Sequence, residues 1–194
     1  GRPGLTTAQK RQFVTGWSYW LSDAFGVLVA YLNLLWVPMI LFVGVLIPTL
    51  PFTVPVLAAF GVNLIHCLML YVARDVARVR LSPKRILGAA LAAMSLQLTV
   101  ARGVAEGLLG KAVPFVRTAK GGKAKKAGAT PRAETITGLL LLMGGILLWV
   151  FNEPGEKERY VFAVTLLVQS TPFLAATLMA WIERKTASAG TAPS

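Results

Sequence analysis

"ILGAALAAMSLQLTVARGVAEGLL", residues 86–109, decides how this chain is folded. At ~1.5 Å of rise per helical residue, its length would allow a membrane span. Its flanks argue against one. Before it, "ARDVARVRLSPKR" carries Arg74, Arg78, Arg80, Lys84 and Arg85 against a single acid, Asp75. After it, the stretch from Lys111 to Arg132 is rich in Lys and Arg and has no acid. Short loops rich in Lys and Arg stay on the cytoplasmic side, and a segment with both flanks on one side does not cross once. Ser95, Thr99, Arg102 and Glu106 follow one another at helical spacing, so they fall on one polar face. Ser82-Pro83 is a helix start, an N-cap followed by proline in the first turn. The expectation is an amphipathic helix in the interface, or a re-entrant segment.

The rest of the chain is read from that decision. It has 194 residues, 55% of them apolar and only 14% charged, with a mean hydropathy of +0.63. Such a composition with long apolar runs points to an integral membrane protein. Four runs are expected to span: roughly Ala24–Ile47, Phe52–Val72, Thr135–Phe151 and Tyr160–Ile182. Tyr19, Trp20, Trp149, Tyr160 and Trp181 lie near their ends, where aromatic belts sit. "PTLP" is uncharged and "NEPGEKER" carries three acids, so both loops are expected outside. The formal charge of +12, from 20 Lys/Arg against 8 Asp/Glu, fits cytoplasmic loops facing anionic lipid headgroups. Nucleic acid is excluded as a partner, since there is no basic helix with base-reading polar residues. The fold class is therefore an all-α membrane protein: four transmembrane helices plus two amphipathic interfacial helices.

The second interfacial helix is residues 6–23, where Phe13, Trp17 and Trp20 share a face and Lys10 and Arg11 point elsewhere. The chain begins Gly-Arg-Pro rather than Met, and the expectation is a piece of a longer protein, cut on its N-terminal side. The single cysteine, Cys67, lies in an apolar run and makes no internal disulfide. His66 is the only histidine, and with Asn63 and Cys67 it suits a helix–helix hydrogen bond more than a metal site. The eight acids are scattered, with no Asp-x-Asp, so no catalytic residue and no metal site is expected in this chain.

Two short patterns carry a resemblance. They are "QKRQFVTG", residues 9–16, and "FVRTAK", residues 115–120. Set around the span pattern above, they resemble the C-terminal membrane region of processive family-2 glycosyltransferases, the group of bacterial cellulose synthase and hyaluronan synthase. There an interfacial helix carries Gln-x-x-Arg-Trp, and a cytoplasmic gating loop carries Phe-x-Val-Thr-x-Lys. "MSLQLTVARGVAEGLLGKAVPFVRTAKG" also looks like the corresponding region of bacterial membrane glucosyltransferases. Gln9 matches the first motif, while Gln12 stands in place of its Arg and Phe13 in place of its Trp. Phe115, Thr118 and Lys120 match the second, with Arg117 in place of its Val.

The resemblance implies a division of the chain. Residues 1–23 are a cytoplasmic interfacial helix, and 24–73 hold the first two spans. Residues 74–112 are a basic loop and interfacial helix, and 113–133 are a cytoplasmic gating-type loop. Residues 134–182 hold the last two spans, and 183–194 are a disordered cytoplasmic tail. It implies that Gln9, Gln12 and Phe13 meet the sugar acceptor or product. Phe115, Thr118 and Lys120 would close over a nucleotide-sugar, and Tyr31, Asn33, Trp36, Ser95 and Gln97 would line the channel. Phe13 offers a stacking ring without an indole N–H donor, and Gln12 lacks the charge that would contact diphosphate. The Mg or Mn ion that accompanies the nucleotide-sugar would belong to a cytosolic catalytic domain absent from this chain. The chain would then be the channel part of an inner-membrane polysaccharide synthase, multi-pass with both termini cytoplasmic. The alternative is a stand-alone four-span transporter or membrane scaffold with lipid-binding basic loops.

Overall fold

The computed structural model describes Gly4 and residues 6–45, 51, 53–61, 65, 82–110, 131–153 and 156–189; among these the regular structure is all helical. In chain order the elements are α1 (Thr7–Pro38), a π-helical turn (Met39–Val43), α2 (Pro83–Ser95), α3 (Gln97–Leu108), α4 (Arg132–Val150) and α5 (Lys157–Ala189). Residues 53–61 add a further helical stretch. Four stretches are long and apolar enough to cross a membrane: Thr7–Val43, Pro83–Leu108, Arg132–Val150 and Lys157–Thr186. Three contain expected spans. The expected second span, residues 52–72, lies largely outside the described residues.

The expected boundary at residue 23 is not a structural one. α1 joins the N-terminal amphipathic segment and the first apolar run in one unbroken helix. Charge changes there, but no residue from Thr7 to Val37 lacks a backbone N–H, so nothing interrupts the ladder. The helix begins at a capping box, in which Gln9 N–H donates to Thr6 Oγ1 and Thr6 N–H donates to Gln9 Oε1 at 2.9 Å. It changes character at Pro38, whose ring nitrogen cannot donate, and the next residues widen into the π turn. Gly44, at φ 69°, then ends it in the left-handed conformation open to glycine.

The hairpin of α4 and α5 is the centre of the packing. α4 is apolar all round, so composition does not mark its inner face; its glycines do. A Cβ on Gly145 would stand 3.0 Å from the Ala163 carbonyl oxygen and 2.9 Å from a Leu167 methyl. One on Gly138 would meet Leu174 at 2.9 Å, and one on Gly144 would meet Val37 of α1 at 3.0 Å. Small residues thus let α4 approach α5 on one side and α1 on another, as in helix pairs packed within lipid. Ala30, Ile40, Leu141, Leu148, Phe162, Leu166 and Phe173 fill the core between the three helices. Trp149 closes the hairpin edge-to-face on Tyr160, with ring centroids 5.1 Å apart. Arg159 pairs with Glu156 beside them.

The tail also differs from expectation, because α5 stays helical to Ala189. Lys185 lies over the Trp181 ring at 5.2 Å, and Thr186 Oγ1 donates to the Ile182 carbonyl at 2.9 Å. The 86–109 segment is two helices, jointed at Leu96. Leu96 N–H reaches back to the Ala93 carbonyl at 3.2 Å, and Ser95 Oγ donates to the Ala92 carbonyl at 2.7 Å. The hydroxyl competes with the ladder at the place where the helix breaks.

Candidate functional site

α1 presents its polar residues in two settings. Its first half is exposed. There Ala8, Arg11, Gln12, Thr15, Gly16 and Trp20 line an open groove of about 670 Å³. Arg11 and Trp20 border it on opposite edges, with Gln12, Thr15 and Gly16 between them. Arg11 and Trp20, nine residues apart, are half a turn from each other round the helix. Thr15 Oγ1 donates to the Arg11 carbonyl at 2.8 Å, which leaves its lone pairs open. The groove so offers a guanidinium, an amide, a hydroxyl oxygen and an indole. Phe13 is 63% exposed and stands beyond it on the apolar side.

One face of the second half of α1 is buried, and Asn33 on it meets a polar group across the bundle. Asn33 is fully buried and its Nδ2 donates to Gln169 Oε1 of α5 at 2.8 Å. Gln169 Nε2 donates in turn to the Gly26 carbonyl at 3.4 Å. Thr137 of α4 donates to the Tyr31 hydroxyl at 3.5 Å, and Thr135 and Thr177 meet at 2.8 Å. Buried Thr165 donates to the Val161 carbonyl at 2.8 Å and lies 3.3 Å from Thr53. Within an apolar bundle such contacts fix which helix faces meet.

Of the expected acceptor residues, Gln12 lines the groove, while the Gln9 side chain is engaged in the cap of α1. Among the expected channel residues, Asn33 and Gln97 come together through Gln169 and Gly26. Gln97 opens α3 with its Nε2 only 2.8 Å from where a Gly26 Cβ would be. Tyr31, 43% exposed, is on the other side of α1 from Asn33, and Trp36 packs half-buried against the core. Ser95 is spent on the α2–α3 joint. Phe115, Thr118 and Lys120, with Asn63, His66 and Cys67, lie outside the described residues. Sequence reasoning missed Gln169 and Asp23. Each had a signal: Gln169 opens the polar run "QSTP" inside an apolar stretch, and Asp23 is the only acid before Asp75. Among the described residues no three His, Cys, Asp or Glu side chains come together as metal ligands.

Compared with known protein families, curated proteins and solved structures, the chain matches none.

Proposed function

We propose that this chain is the transmembrane, channel-forming part of an inner-membrane polysaccharide synthase, whose parent transfers sugar from a nucleotide-sugar to a growing glycan and translocates it. The observation that carries the reading is the groove on the first half of α1. A sugar is bound by planar apolar surface together with directional hydrogen bonds. Trp20 supplies the first, and Arg11, Gln12 and Thr15 supply the second. Arg11 also brings to the groove the guanidinium that Gln12 lacks, so the neighbouring residue restores a phosphate-binding charge.

In this reading the first half of α1 lies on the cytoplasmic face with α2 and α3 in the interface, against anionic lipid, and both termini are cytoplasmic. The joint at Leu96 and the basic flanks support laying Pro83–Leu108 along the membrane, although its length would let it cross. The nucleotide-sugar and its metal ion belong to a cytosolic domain outside this chain, with Phe115, Thr118 and Lys120 closing over the donor.

The test uses the parent protein in vesicles supplied with nucleotide-sugar. Arg11→Ala, Phe115→Ala and Lys120→Ala should each cut polymer yield about tenfold or more, as for removal of a transition-state or phosphate contact, while Lys125→Ala should not. Equal and mild effects from all four would favour the transporter or scaffold reading and sink this one.

A further inference from the structure

A second site sits where the two halves of α1 meet. A cavity of about 60 Å³ lies between α1, α2, α3, α5 and the 53–61 stretch. Its polar lining is Asp23, Gln97 and Gln169; its apolar wall includes Phe60, Met94 and Pro172. The volume admits about two water-sized groups and excludes a sugar ring or an acyl chain. The site shares no lining residue with the groove.

Two amide oxygens in and behind this cavity are buried without a partner. Gln97 Oε1 is buried and accepts no hydrogen bond. Behind Gln169, Asn33 Oδ1 is also buried and unpartnered. The Gln169 Nε2 has two N–H groups, one of them directed to the Gly26 carbonyl at 3.4 Å. Asp23 is half-buried, and among the described residues no hydrogen bond or ion pair reaches its carboxylate. The one cation on α3, Arg102, is on its exposed side. Buried acceptors left without donors are costly, and a half-buried carboxylate without a counter-charge adds to that cost.

We propose that this cavity binds a monovalent cation of sodium size, with the Asp23 carboxylate and Gln97 Oε1 as its protein ligands. Hard cations take oxygen ligands of this kind, carboxylate and amide carbonyl together. One carboxylate balances one positive charge; a divalent ion would leave an uncompensated charge beside Phe60 and Met94. Binding ties α1 to α3 at the level where α1 passes from exposed to buried. Gly26 is part of the device, since a side chain there would drive Gln97 out of position.

The experiment is direct binding of radioactive sodium to the detergent-solubilised chain, with choline chloride holding ionic strength constant. Saturable binding is expected, displaced by unlabelled sodium and not by choline. Asp23→Asn, which keeps the shape of the side chain, should weaken it about tenfold or more, and Gln97→Leu should weaken it several-fold. Circular dichroism establishes that each variant keeps its helix content, and Gly26→Ala provides a third variant aimed at the same site without removing a ligand. The proposal is overturned if sodium does not bind saturably, if magnesium or calcium displaces it at lower concentration, or if folded Asp23→Asn and Gln97→Leu bind as the unaltered chain does.

Discussion

The two halves of α1 are one helix with opposite fates. Residues 7–23 are exposed along their length, with Phe13, Trp17 and Trp20 each more than half open. Residues 24–40 bury one face, with Ala30 and Asn33 at 0% exposure and Ile40 at 2%, while Phe25, Leu28 and Leu35 on the other stay more than half exposed. Both halves are rich in apolar side chains, so apolar content does not decide which is buried. What differs is the partner surface. The second half meets α4 where Val37 packs on Gly144, and α5 where Asn33 and the Gly26 carbonyl reach Gln169. Among the described residues the first half lies along α3, with an apolar groove of about 390 Å³ between Trp17, Trp20, Val100 and Gly103. Large rings that hold neighbours apart suit a surface; small residues that admit them make a core.

The same side chain placed in both regions should have its largest effect where helices are close. Gly145→Val puts methyl groups into the Ala163 carbonyl and Leu167, and overpacking of this kind costs about 2–3 kcal/mol. Gly103→Val meets nothing within 4 Å of its Cβ. It should change stability by no more than about 0.5 kcal/mol. Thermal unfolding of the solubilised protein compares the two, and equal losses would mean that close approach to α5 does not hold the bundle. Next in size is the buried amide pair. Asn33→Leu and Gln169→Leu should each cost about 2 kcal/mol, since each strands a buried partner. The double variant should lose less than their sum, with a coupling of about 0.6–1.7 kcal/mol. Additivity would show that the 2.8 Å contact contributes nothing.

The exposed half should respond to local chemistry instead. Thr6→Ala removes the capping box, worth about 1 kcal/mol to the helix start. Because few contacts hold residues 7–15, the loss should appear as faster amide hydrogen exchange in that stretch, with the unfolding temperature unchanged. A fall in global stability would show that the first half folds together with the bundle.

The sequence carries much of the helical layout and little of the pairing. The expected span at residues 160–182 falls inside α5 and that at 135–151 matches α4 to within one residue, because long apolar runs bounded by "FNEPGEKER" leave few alternatives. The continuity of α1 was not legible, because the signs used to divide it, charge and aromatic spacing, report on surroundings and not on the backbone. The Asn33–Gln169 contact was out of reach for a different reason. It joins residues 136 apart in sequence, and its register depends on where Gly138, Gly144 and Gly145 let three helices meet. In the candidate site, Gln12 was legible from motif spacing. Arg11 was not, since a helical wheel separates it from Trp20, while a groove wide enough for a ligand takes in both.

Gly16 gives the smallest and most discriminating change. It lies within the groove of α1, and a Cβ there meets nothing within 4 Å. In an isolated helix Gly→Ala gains about 0.8–1 kcal/mol, and on this exposed stretch part of that should be visible. Gly16→Ala should therefore slow amide exchange in residues 12–20 and leave global unfolding where it is. In the synthase proposed above, the added methyl would narrow the floor of the groove between Gln12 and Trp20. A drop in polymer yield alongside a steadier helix would separate occupancy of the groove from stability of its frame. Unchanged yield would mean that no ligand comes as close to the backbone at Gly16 as the open space there allows.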